Sequence, residues 1–418
     1  MTATTSPAPA MQAGTTQHWH ETFGEVMMGS LAVPAVMLDH GRGAYVWDVD
    51  GKEYLDFLAG IAVNALGHAH PVLLDALATQ AAKLVHVSNY FATPPQVALA
   101  ERLLRITGAG TYGRVYFCNS GTEANEAAFK LARLNSTGPR TRILALQNGF
   151  HGRTMGSLAL TGKPHMREPF EPMVPGVEHI ESTIAALEAA LDDTVAALFV
   201  EPIKGEAGVI DLPDGYLAAA RELTQRHGAL LILDEIQTGI GRTGEWFGYQ
   251  HAGIVPDAIT IAKGMAGGVP IGALVTFGQA SGLFTRGQHG STFGGNPLAT
   301  AVAGAVLEEI ERSGLVENAK RRGAELRQVV TSIGSPLIAE LRGEGLLIGV
   351  GLSEPLADQL TAAALRNGLI VNAPNESSIR LAPPLIIGDD EVAEFDRRFR
   401  AALAELEQRP LDHQQQGA

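Results

Sequence analysis

The sequence predicts an α/β protein: a mostly parallel central sheet sandwiched by helices, with a smaller α+β domain drawn from the N- and C-terminal segments. Two observations carry this. Residues 72–310 alternate helical patterns with short, uninterrupted Val/Ile/Leu runs, which is how strands buried on both faces read. The flanking stretches instead show a hairpin signature and, towards the C-terminus, short strands around helices. At 418 residues, 45% of them apolar, the chain exceeds one ordinary core, so two or more domains are expected.

Taken in order, residues 1–18 read as a disordered arm; through His20 there is neither a basic region nor a continuous apolar run, so no secretory signal is expected. Residues 19–71 form an N-terminal segment of the small domain. Within it, residues 43–58 alternate apolar and polar side chains around an Asp50-Gly51 turn, which predicts a hairpin. The large domain spans 72–310, with strands expected over 114–118, 143–146, 195–200, 230–233, 258–261 and 272–277, and helices over 123–134 and 215–227. A long helical stretch near 297–333 leads into a C-terminal small domain over 311–408. There the runs Gly-Leu-Leu-Ile-Gly-Val-Gly-Leu, Leu-Ile-Val and Ser-Ile-Arg-Leu-Ala precede a last helix. The Gln-rich residues 409–418 read as a frayed tail.

Composition excludes several classes. The 45 acidic residues exceed the 31 basic ones, for a formal net charge of -14, and no Lys/Arg block occurs, which argues against nucleic-acid binding. No stretch reaches the roughly 18 apolar residues of a membrane span. A single cysteine, Cys118, forbids an intramolecular disulfide and fits a reducing compartment. A soluble, cytoplasmic protein without a metal centre is the expectation.

The most informative pair is Asp234, in Leu-Ile-Leu-Asp-Glu-Ile-Gln, and Lys263, in Ile-Thr-Ile-Ala-Lys-Gly. Two apolar strands, one ending in a carboxylate and the next in a lysine, can aim both groups into one crevice at the strands' carboxyl ends. A carboxylate for a pyridinium nitrogen and an imine-forming lysine are what pyridoxal phosphate needs. Helix capping by Asp234 and a solvated Lys263 are the bland alternatives. In Phe-Cys-Asn-Ser-Gly-Thr-Glu-Ala-Asn-Glu, the amides of Gly121 and Thr122 open a helix and favour a phosphate. Ser120 and Glu123 also fit a capping box, a compatible reading.

Asn-Gly-Phe-His-Gly-Arg-Thr-Met-Gly places Phe150, which can cover a flat ring, near Arg153, which can grip a carboxylate with two prongs. Core packing and a surface ion pair are the ordinary roles of those two types. His151 reads as a structural histidine. Gln237 lies three residues past Asp234 and could reach the opposite edge of the same heterocycle. Lys263 could move a proton at the substrate carbon once freed. Gly-Ser-Thr-Phe-Gly-Gly-Asn-Pro, holding Ser291 and Thr292, offers another phosphate contact or simply a tight turn. Arg380, among apolar residues and prolines, needs a partner if buried, and Glu206 is the candidate.

Together these segments, over about residues 30–400, resemble the class III, ω-amino-acid aminotransferases of the fold-type I PLP-dependent transferase superfamily. The resemblance is strongest to members that move the terminal amine of N-acetylornithine onto 2-oxoglutarate, reversibly, in arginine biosynthesis. It implies pyridoxal 5'-phosphate as cofactor and Lys263 as its imine lysine. Gly121 and Thr122 would bind the phosphate, Phe150 stack on the ring, Asp234 meet the pyridine nitrogen and Gln237 the ring oxygen. It further implies a homodimer with shared active sites, Thr292 completing the phosphate site of the neighbouring subunit. Arg153 matches the substrate-carboxylate arginine, Arg380 the arginine for the α-carboxylate of glutamate, and Glu206 the switch that pairs with Arg380; Ser291 would touch the acylated substrate. Members acting on free ornithine carry a tyrosine that aligns with Ile61, which weakens that reading here. Succinylornithine, succinyl-diaminopimelate and 4-aminobutyrate remain alternative substrates, and an aminomutase or a cofactor-lacking relative remain alternative classes.

Overall fold

The computed structural model describes residues 15–408. Seven strands form the central sheet: β1 Arg114–Cys118, β2 Arg142–Leu146, β3 Val177–Ile180, β4 Val195–Val200, β5 Leu230–Asp234, β6 Ala258–Ile261 and β7 Gly272–Thr276. Their spatial order is β1-β7-β6-β5-β4-β2-β3. The four pairings from β6 to β3 are parallel, and only β7 runs against its neighbours. The middle strands β4 and β5 are buried residue for residue. Their side chains enter a core on each face, under helices such as α1 (Gly121–Leu134) on one and α2 (Pro297–Arg312) on the other.

Six of the seven strands match the expected runs; β3 does not. Val-Glu-His-Ile sits at the sheet edge with no residue fully buried, so it shows no apolar run to read. The long stretch near 297–333 proves to be two helices, α2 and Leu315–Ile333, because Gly314 adopts a left-handed φ of 61° between them.

The N- and C-terminal segments fold together. The hairpin Tyr45–Asp48 and Glu53–Asp56 pairs on one side with Leu38–Arg42 and on the other, in parallel, with Leu369–Ile370. Phe57 stacks on Phe395, ring centroids 4.7 Å apart, and its carbonyl accepts from the Ala382 amide at 2.7 Å. The last strand of a four-stranded antiparallel sheet, Ser378–Leu381, carries Arg380 into this junction. The arm expected over 1–18 gives way to helix at Thr16–Val26, while residues 1–14 and the expected tail at 409–418 lie outside the described residues. No helix among the described residues is long and apolar enough to cross a membrane.

Candidate active site

Five parallel strands, β1, β2, β4, β5 and β6, end on the same edge of the sheet, and the chain leaving each contributes to one cavity of about 350 Å³. That places it where open α/β sheets bind ligands, at the lower end of the usual size range, about 300–1,000 Å³. Lys263 follows β6 directly. Its φ of 43° is left-handed, a costly setting for a residue with a Cβ, and such strain persists where surrounding structure fixes a side chain's direction. Burial lowers its amine to about 8; Glu206 opposes that effect and Arg380 adds to it.

Asp234, at the end of β5, is 5% exposed. Its Oδ2 accepts from Asn125 Nδ2 at 2.7 Å and from His151 Nδ1 at 2.8 Å, and its Oδ1 from the Ile236 amide at 3.1 Å. Burial disfavours the imidazolium of His151, yet the hydrogen bond and charge of Asp234 outweigh it and raise its pKa. Behind them Glu201 accepts from the Phe150 amide at 2.8 Å, and burial pushes its carboxyl up to about 7. The Asp234 carboxylate is therefore fixed in position by protein donors while still lining the cavity.

At the opposite end, Ser120 caps α1: its Oγ accepts from the Glu123 amide at 3.3 Å, and Glu123 reaches back to the Asn119 amide at 2.5 Å. The capping and anion readings thus coexist, because the amides of Gly121 and Thr122 precede the first helical hydrogen bond, from Ala124 to Ser120. The Thr122 hydroxyl accepts from the amides of Arg153 at 3.1 Å and Thr154 at 3.2 Å, tying the two loops together. Gly152 makes this possible: a Cβ there would stand 2.3 Å from Thr122 Oγ1. Between the ends, Phe150 and Ile236 give the cavity apolar walls, and the Arg153 guanidinium lies 5.7 Å from the Phe150 ring centre.

Arg380, 1% exposed, sits one layer behind Glu206 and Gln237, which line the cavity in front of it. Its Nη1 donates to Glu206 Oε1 at 2.5 Å and to Gln237 Oε1 at 3.0 Å, and its Nη2 to Asn372 Oδ1 at 2.6 Å. Burial alone would raise the Glu206 carboxyl, but the charge and hydrogen bond of Arg380 bring it below its ordinary value. Among the described residues Glu206 is thus the only anion on Arg380; the other two partners are neutral.

Of the residues singled out in the sequence, Gly121, Thr122, Phe150, Arg153, Glu206, Asp234, Gln237 and Lys263 line the one cavity. Gln237, expected on a ring edge, bridges Arg380 and Glu206. Ser291 and Thr292 do not line it. Ser291 accepts from the Gly294 amide at 2.9 Å, and exposed Thr292 borders a small separate niche with Phe91 and Asn296. Asn125, Glu201, Ile236 and Asn372 were missed. Ile236 lies in the turn after β5, where no strand alternation could have pointed to it. His151, expected to be structural, is the neighbour that orients Asp234.

The family model for class-III aminotransferases matches residues 28–403. The acetylornithine aminotransferase of Streptomyces coelicolor is 53% identical over 382 residues, covering 91% of this chain and 93% of its own. Among solved structures, ornithine aminotransferase from Toxoplasma gondii superposes with a TM-score of 0.89 at 34% identity, covering 94% of this chain and 96% of its own. N-acetylornithine aminotransferase from Stenotrophomonas maltophilia does so with a TM-score of 0.80 at 36% identity, covering 92% and 98%.

Proposed function

We propose, from the premise that this chain belongs to the class-III aminotransferase family, that it moves the terminal amine of N-acetylornithine to 2-oxoglutarate. The products are N-acetylglutamate 5-semialdehyde and glutamate, in a reversible step of arginine biosynthesis. Pyridoxal phosphate, when bound, supplies a carbonyl carbon that takes the amine and a ring that withdraws electrons from the adjoining carbon. The cavity's chemistry fits this cofactor: free helix amides at Gly121 and Thr122 for a phosphate, the apolar walls Phe150 and Ile236 for a ring, and the buried, donor-held Asp234 for a protonated ring nitrogen. Lys263 Nζ, its pKa brought to about 8, is close enough to neutrality to take and return the proton at the substrate's amine-bearing carbon.

The Glu206–Arg380 contact carries the choice of substrate. With Glu206 in place, Arg380 is neutralised and a methylene chain can enter without facing an unpaired guanidinium. When glutamate enters, its α-carboxylate replaces Glu206 on Arg380. Arg153, at the cavity wall, grips the α-carboxylate of N-acetylornithine, whose terminal amine then faces Lys263. A substrate panel tests the reading: N-acetylornithine is expected to give a higher kcat/KM than ornithine, 4-aminobutyrate, N-succinylornithine or N-succinyl-diaminopimelate, and the substrate assignment fails if any of these exceeds it.

The functional unit is a homodimer in which Thr292 reaches the partner's phosphate site. The support is that Tyr90, Phe91 and Phe293, 93%, 69% and 61% exposed, bring large apolar side chains to the surface around Thr292. Mixed dimers of Lys263→Ala and Thr292→Ala chains should recover activity that neither variant has alone; no recovery would refute sharing.

A further inference from the structure

The turn that carries Glu206 is fastened at three successive carbonyls by side chains from one loop and two strands. Lys163 Nζ donates to the Glu206 carbonyl at 2.7 Å, Asn375 Nδ2 to the Ala207 carbonyl at 2.8 Å, and Arg342 Nη2 to the Gly208 carbonyl at 3.0 Å. Neighbouring side chains also pack closely on its glycines: a Cβ on Gly205 would stand 2.1 Å from Gln237 Oε1, and one on Gly208 would stand 2.6 Å from Asn375 Nδ2. If Glu206 is to leave Arg380, it must do so by rotating its own side chain about a fixed main chain.

A half-buried carboxylate that leaves one cation needs another. Lys163 is suited to the part. Its ammonium already sits on the backbone of Glu206, within the sweep of that residue's side chain, and the Glu206 carbonyl is its only hydrogen-bond partner among the described residues, so two of its N–H groups are unused. Burial chiefly lowers its proton affinity, Glu206 and Glu201 oppose that, and Arg380 and Arg153 add smaller repulsions. An anion moving from Arg380 towards Lys163 relieves repulsion at its destination.

We propose that Lys163 is the positioning residue that receives the Glu206 carboxylate when glutamate claims Arg380, and so sets the balance between the two substrates. This rests on the reading of Arg380 and Glu206 given above. The test is half-reaction kinetics on the holoenzyme, with each amino donor alone, for wild type and for Lys163→Gln, which keeps a donor for the carbonyl but loses the charge. The expected result is a KM for glutamate raised about tenfold, with that for N-acetylornithine within twofold. The dissociation constant of glutarate, measured calorimetrically, should rise by a similar factor, and Lys163→Arg should restore both. A glutamate KM unaltered in Lys163→Gln, or equal weakening of both substrates, overturns the proposal. So does the same split in Asn375→Ala, which loosens the turn without touching a charge. A wild-type enzyme that glutamate alone cannot convert would instead overturn the functional reading itself.

Discussion

His151 Nδ1 lies 2.8 Å from Asp234 Oδ2, and both side chains are buried. The pair gives the Asp234 carboxylate a fixed direction, held by a protein donor rather than by solvent. A hydrogen bond to a charged group is worth about 1.5–3 kcal/mol. His151→Ala should therefore weaken cofactor binding by roughly 10- to 100-fold, read by titrating cofactor-free protein with pyridoxal phosphate. Unchanged affinity would mean that Asn125 and the Ile236 amide suffice to orient the carboxylate.

The Lys263 amine gives a pH signature. In the cofactor-free protein its proton is held more weakly than in the unfolded chain, with a pKa of about 8 against 10.5. Between those values the unfolded state binds more protons, so stability rises with pH; below about 8 both states are charged and the slope vanishes. Relative to Lys263→Met, wild-type stability should climb by roughly 3 kcal/mol at most across that window. Parallel stability curves for the two proteins would count against a lowered amine.

Removing the anion from Arg380 should separate the substrates. In Glu206→Gln the guanidinium keeps only neutral partners, at a cost of about 1–3 kcal/mol in stability, since the deleted charge was partly solvated. Its kcat/KM for N-acetylornithine should fall at least about tenfold while that for glutamate is retained. Equal losses for both would remove the switch from the account.

Gly152 has a φ of 132° and no room for a Cβ beside Thr122. Gly152→Ala should cost on the order of 2 kcal/mol by strain and by prising the loops apart, lowering Tm by several degrees. Cofactor affinity should fall with it; a variant of native Tm and affinity would show that the loops adapt.

Much of this was legible in the sequence because the buried strands have no alternative reading. β4 is apolar throughout and β5 is apolar up to its closing Asp234, and the residues at the ends of such strands are those the topology gathers at one edge. Asp234 and Lys263 could be paired for that reason. β3 was not legible, since an edge strand with Glu178 and His179 at its centre and no residue fully buried shows neither alternation nor an apolar run. Asn125 was hidden as a polar residue inside a helix, where nothing in the spacing tells a buried partner of Asp234 from a solvated amide. Glu201 was masked by the Glu-Pro-Ile-Lys-Gly-Glu segment itself, which offers two carboxylates five residues apart; only the fold shows that the first supports the Phe150 turn and the second meets Arg380.

The account's central claim is that Lys263 and Asp234 serve one bound ring in a single cavity. The most direct measurement is a single turnover of the holoenzyme with glutamate and no amino acceptor, followed by cofactor absorbance and by 2-oxoglutarate released. The account predicts one 2-oxoglutarate per cofactor bound to wild type and none from Lys263→Ala. Release from the alanine variant at the wild-type rate, or none from a wild type saturated with cofactor, would contradict it.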